Sequence, residues 1–139
     1  MSGADDAKPN GPLARSQARL AAVQALYQMD MAGTDLAEVI DEFNTHRIGA
    51  DAEDRAIAGA DAEYFARILH GTVAHQRDLD PLIDGQLAEG WRLVRVDAIL
   101  RAILRAGAFE LKEEPDVPPR VVINEYVNVA HAFFAVDES

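Results

Sequence analysis

From Asp97 the chain reads AILRAILRAGAFEL, a pattern that fits one regular structure. Ile99, Leu100, Ile103, Leu104 and Leu111 recur at helical spacing and point one way. Arg101, Arg105 and Lys112 point another. Gly107 falls on the apolar side, where it costs helix propensity, so a close crossing with another helix is expected there.

The rest of the chain repeats the helical period. Leu20, Val23, Tyr27 and Met31 mark a helix from about Leu13 to Met31, ended by Gly33. Thr34 or Asp35 can cap a second helix with Leu36, Val39, Ile40 and Phe43 as its apolar face. Residues 47 to 59 lose the period and read as a loop. Asp61 begins a third helix with the stripe Tyr64, Phe65, Ile68, Leu69, Thr72 and Val73. Asp80-Pro81 has the form of an N-cap followed by proline at the first helical position. It predicts a separate short helix to Leu87, stopped by Gly90. Glu113 to Pro119 is a turn with three prolines. Val122, Tyr126, Val129, Ala130 and Phe133 give the last helix, although VVI alone suggests a strand. The class is all-α, with about six helices packed as a bundle or as two small bundles.

With 139 residues, of which 49 % are hydrophobic, the chain suits one domain with a real core. Residues 1 to 12, rich in Gly, Pro and Asp, read as a disordered leader, and 13 to 139 as the single domain. No apolar run approaches the about 18 residues a membrane span needs, and no secretory signal is visible. The absence of cysteine rules out disulfides and thiolate chemistry. The expected location is cytoplasmic.

The formal charge of −11 argues against a general nucleic-acid binder, but it is unevenly spread. Residues 13 to 29 carry Arg15 and Arg19 and no acid. Residues 35 to 63 carry nine acids against two arginines, and residues 92 to 112 five bases against two acids. A small basic surface on an acidic body fits this pattern, and so do ordinary solvated helix faces.

Nothing in the sequence supports catalysis. His46, His70, His75 and His131 show no metal-ligand spacing, and there is no nucleophile elbow, P-loop or dinucleotide fingerprint. No metal or cofactor is expected. Eleven of the thirteen basic residues are arginine, the side chain suited to bidentate phosphate contacts and to stacking on bases. Arg15 and Arg19 stand at i, i+4 on the first helix, and Arg101 and Arg105 repeat that spacing on the fifth. Side by side, the two helices could bring four guanidinium groups into one groove; the alternative for each pair is a solvated or salt-bridged face. Tyr27, two turns beyond Arg19, could stack a base or sit as a core tyrosine with its hydroxyl at the surface.

Three stretches, in this order, resemble the bacterial NusB family of transcription antitermination factors: ARSQARLAAVQALYQMD (Ala14 to Asp30), YFARILHGTVAHQRDLDPLI (Tyr64 to Ile83) and VDAILRAILRAGAFELKEEPDVPPRVVINEYVNVAHAFF (Val96 to Phe134). The resemblance implies an all-helical fold of two small bundles and no catalysis. It implies pairing with the ribosomal protein NusE, binding of the boxA element of ribosomal RNA leader transcripts, and read-through of terminators by the RNA polymerase antitermination complex. It maps the family's arginine-rich RNA contact onto Arg15 to Arg19, where two arginines stand in place of four or five. Gln24 and Tyr27 match the next polar and aromatic positions, and Arg101 and Arg105 match basic positions on the neighbouring helix. Phe133, with Phe134 and Asp137, falls near the rim of the implied RNA site.

Family members continue past the matching point with a motif like FVNGVLD and a final helix, whereas this sequence stops at Ser139. Uncovered apolar surface, with lower stability or self-association, is the expectation. A homodimer burying the RNA face is a further possibility from the family. The rivals are a helical protein–protein adaptor without RNA contact, a NusB-like domain of an RNA methyltransferase, and a small helical enzyme.

Overall fold

A computed structural model describes residues 8–134 of the chain. Helix α1 spans Pro12–Ala32, α2 Leu36–Glu42, α3 Ala62–Gln86, α4 Ala98–Glu113 and α5 Pro119–Phe134. The described residues contain five α-helices and no strand. The expected leader thus overlaps the fold at its end. Lys8 to Gly11 form a turn and Pro12 opens α1, while residues 1 to 7 lie outside the described part.

Alanine determines how α1 packs. Ala14, Ala18, Ala21, Ala22 and Ala25 are buried, and such small side chains let α3 and α4 approach its backbone. Gly33 ends α1 in the left-handed conformation (φ 70°), its N–H donating to the Met29 carbonyl. The Asp35 carboxylate caps α2 by accepting from the Glu38 N–H. The helix then widens into a π turn, Phe43–Arg47. That turn delivers Phe43 to the core, stacked on Phe65 at 5.3 Å between ring centroids. The following loop is tied to α1 by Gly59 N–H to Gln17 Oε1 and Asp61 N–H to the Ala14 carbonyl.

Helix α3 departs from the sequence reading. It runs unbroken through Pro81, so Asp80 caps nothing and no separate short helix exists. The Asp80 carboxylate accepts two hydrogen bonds from Arg105 instead. Leu79 and Ile83, either side of the proline, pack with Leu93 and Phe109 in a second core. This packing keeps the helix going where local preference would break it. Gly90 (φ 91°) lies in the turn beyond α3 and does not stop it. A 3-10 turn, Leu93–Arg95, leads to α4, whose first turn is capped by Asp97.

Helix α4 corrects a second expectation. Its most buried face is Ala102, Ile103, Ala106, Phe109 and Glu110, while Leu100 and Leu104 are half-buried and Leu111 is exposed. The leucines line an open apolar groove of about 610 Å³ with Leu82, Ile123 and Val127. The close crossing expected at Gly107 lies elsewhere. A Cβ there would meet the Tyr126 ring at an ordinary 3.5 Å, whereas one on Gly71 would meet the Phe109 ring at 2.1 Å.

Candidate nucleic-acid interface

Helices α1 and α4 pack antiparallel. Arg19, near the start of α1, meets Glu110 near the end of α4, and Asp30, near the end of α1, meets Arg101 near the start of α4. The two arginine pairs therefore sit at opposite ends of the contact. Eleven residues of helix separate Arg19 from Asp30, about 17 Å at the helical rise. The single groove of four guanidinium groups does not form.

Arg19 is only 3 % exposed. Its Nε and Nη2 donate to the two oxygens of Glu110 at 2.7 and 3.0 Å, and its Nη1 donates to Glu125 at 2.7 Å. The Tyr64 and Tyr126 hydroxyls also donate to Glu110, at 2.7 and 2.6 Å, and Ser16 Oγ donates to Glu125. A buried carboxylate needs this many donors to offset its lost hydration. Burial pulls the Arg19 pKa down, but the hydrogen bonds and charge of Glu110 outweigh it and hold the pKa above its ordinary value. Burial, then the hydrogen bond to Glu110 and its charge, push the Tyr64 hydroxyl up, with Arg19 opposing. Tyr126 is raised by burial first and then by Glu110. Arg19 was expected at an RNA surface and is instead an interior tie between α1, α4 and α5. Periodicity could not separate the two roles, because Arg19 shares an i, i+4 face with an arginine that is only half-buried. A faint signal lay in Glu110, a lone acid in the run AGAFEL.

Arg15 is that half-buried neighbour. Its guanidinium carbon lies 4.6 Å from the Tyr64 ring centroid, with Arg19 at 5.2 Å from the same ring. Its Nε has no hydrogen-bond partner among the described residues. The side chain borders an open cleft of about 330 Å³ shared with Asn10, Ser16, Pro118 and Glu125.

Farther along α1, Gln24 accepts from Arg47 Nη2 at 2.8 Å, and Tyr27 is half-buried at the helix surface. At the opposite end, Arg101 donates to Asp30 at 2.6 Å and to the Val94 and Val96 carbonyls at 3.2 and 2.8 Å. Arg105 is bidentate to Asp80. These pairings make Arg101 and Arg105 clamps between segments. Phe133 is half-buried and packs on the main core. Among the described residues, no group of histidines and acids could hold a metal ion, and no helix is long and apolar enough to cross a membrane.

A model of the NusB family matches residues 16–139. The transcription antitermination protein NusB of Rhodopseudomonas palustris (strain HaA2) is 54 % identical over 125 residues, covering 90 % of this chain and 74 % of that protein. The same protein of Bradyrhizobium sp. (strain BTAi1) is 49 % identical over 136 residues, covering 98 % and 79 %. T. maritima NusB aligns with a TM-score of 0.69 at 28 % identity, covering 86 % of this chain and 78 % of the other. The antitermination factors NusB and NusE in complex with dsRNA align with a TM-score of 0.67, covering 88 % and 84 %. At 24 % identity, that last likeness shows the fold alone.

Proposed function

Because this chain belongs to the NusB family of transcription antitermination proteins, we propose that it pairs with NusE on boxA-type RNA of ribosomal leader transcripts. The pair then acts in the cytoplasm on RNA polymerase. The family is one of antitermination factors, not of enzymes, and the role here is binding.

The observation that carries the RNA reading is the state of Arg15. It is a half-buried cation at the start of α1, stacked on Tyr64 and bordering an open cleft. A backbone phosphate entering that cleft would meet the guanidinium. Gln24 and Tyr27 lie farther along α1 on other sides of the helix, Tyr27 offering a ring for an unpaired base. Phe133 stands at the margin of the proposed RNA site. Arg19, Arg101 and Arg105 serve that site indirectly, by holding the helices that carry it.

Fluorescence anisotropy of a boxA-type RNA, with and without NusE at two salt concentrations, tests this. Weak binding alone, tighter binding with NusE and loss at high salt are expected. Arg15→Ala should weaken binding and flatten its salt dependence. NusE binding that persists with no RNA bound under any condition would leave an adaptor in place of an RNA-binding factor.

A further inference from the structure

We propose, on the basis of the RNA-binding reading above, that residues 88 to 96 form a second RNA contact. In it Trp91 stacks on an unpaired base while Arg92 and Arg95 hold adjacent phosphates.

The loop buries every third side chain. Leu93 and Val96 are buried, whereas Trp91 is 61 % exposed and Arg92, Val94 and Arg95 also face solvent. A largely exposed indole forgoes the burial that usually makes tryptophan useful to a fold, which points to a ligand for it. The backbone beneath it is already fixed. Asp84 accepts from the Leu93 N–H at 2.7 Å, Arg101 donates to the Val94 and Val96 carbonyls, and the Trp91 N–H donates to the Ala88 carbonyl. A ligand arriving here meets an ordered platform and pays little to arrange it.

Charge identifies the ligand class. Acids outnumber bases 24 to 13 in this chain, yet neither Arg92 nor Arg95 has a carboxylate partner among the described residues. Within residues 88 to 96 Glu89 is the one acid, against two guanidinium groups; Asp84 and Asp97, which flank the loop, accept from its backbone and from the start of α4. An aromatic face flanked by uncompensated arginines fits a single strand, which offers flat bases and a regular line of phosphates. Position agrees. Arg101 ties this loop to Asp30, one turn beyond Tyr27, so the loop lies beside the end of α1 that carries Tyr27.

Trp91 is the chain's single tryptophan, so its emission reports on the loop directly. Titrating the protein with boxA-type RNA should quench it. By anisotropy in the presence of NusE, Trp91→Ala should weaken RNA binding about tenfold, with Trp91→Phe retaining most of the affinity. The double variant Arg92→Ala/Arg95→Ala should lower the log–log salt slope by about 1.4, two phosphates' worth for a single strand. Circular dichroism checks that each variant is folded. Unchanged emission together with unchanged affinity of Trp91→Ala would overturn the loop contact and leave the RNA reading standing. Loss of NusE binding with RNA binding intact would make the loop a protein-docking surface and overturn it also. No RNA binding by the unaltered protein, even with NusE, would overturn both.

Discussion

Arg19 and Glu110, 91 residues apart in sequence, meet through two parallel hydrogen bonds in the interior, with Nε–Oε1 at 2.7 Å and Nη2–Oε2 at 3.0 Å. Two tyrosine hydroxyls close on the same carboxylate. The group joins α1, α3, α4 and α5 at one point.

Removing one partner of such a pair strands the other. Arg19→Ala leaves Glu110 buried and uncompensated, and should cost about 3–5 kcal/mol of stability. Urea denaturation followed by circular dichroism checks this. Arg15→Ala, at a half-buried site, should cost far less, so a comparable loss in both would contradict the distinction drawn between the two arginines.

The tyrosines give the protein an alkaline limit. Both hydroxyls are raised in the folded state, chiefly by burial and then by Glu110. A raised folded pKa means the folded state holds its proton longer, so stability is intact below the unfolded value of about 10 and falls as pH rises beyond it. Melting temperatures measured from pH 8 to 11 should turn downward near pH 10. The double variant Tyr64→Phe/Tyr126→Phe should be less stable at neutral pH and show a shallower decline.

Two glycines should respond oppositely to alanine. Gly71→Ala drives a Cβ into the buried Phe109 ring and should destabilise by about 1–3 kcal/mol. Adding Phe109→Leu should recover part of that loss, despite its own cost. Gly107→Ala meets Tyr126 only at ordinary contact distance and should stabilise by about 0.5–1 kcal/mol through helix propensity. Thermal melts of the three variants check both signs.

The groove between α3, α4 and α5 exposes apolar side chains in one place, with Leu82, Leu111, Ile123 and Val127 each about half exposed. It should bind the dye ANS at neutral pH without unfolding. Leu111→Lys with Ile123→Glu should cut the dye fluorescence by more than half while leaving the helical content unchanged.

Periodicity made most of the helices legible, because each buries a face wide enough to leave its spacing in the sequence. It failed where a long-range partner outweighed local preference. Asp80-Pro81 has the form of a helix start, but the second core and Arg105 hold it inside α3. The α4 stripe misled because its leucines border a groove while alanines meet the core. The candidate site was legible as residue types and not as roles. Arg19, Arg101 and Arg105 are spaced like surface cations, and only folding shows the acids they meet.

Pro81 has a consequence for the time course of opening. Lacking an N–H, it cannot bond the Arg77 carbonyl, so the hydrogen-bond ladder of α3 has a missing rung between its two cores. The stretch around Tyr64 to Thr72 belongs to the large core, and the stretch around Leu79 and Ile83 to the small one. Amide hydrogens beyond the gap can therefore exchange with solvent through a local opening that spares the first half of the helix. A single continuous helix should divide into a slow-exchanging portion and a fast one.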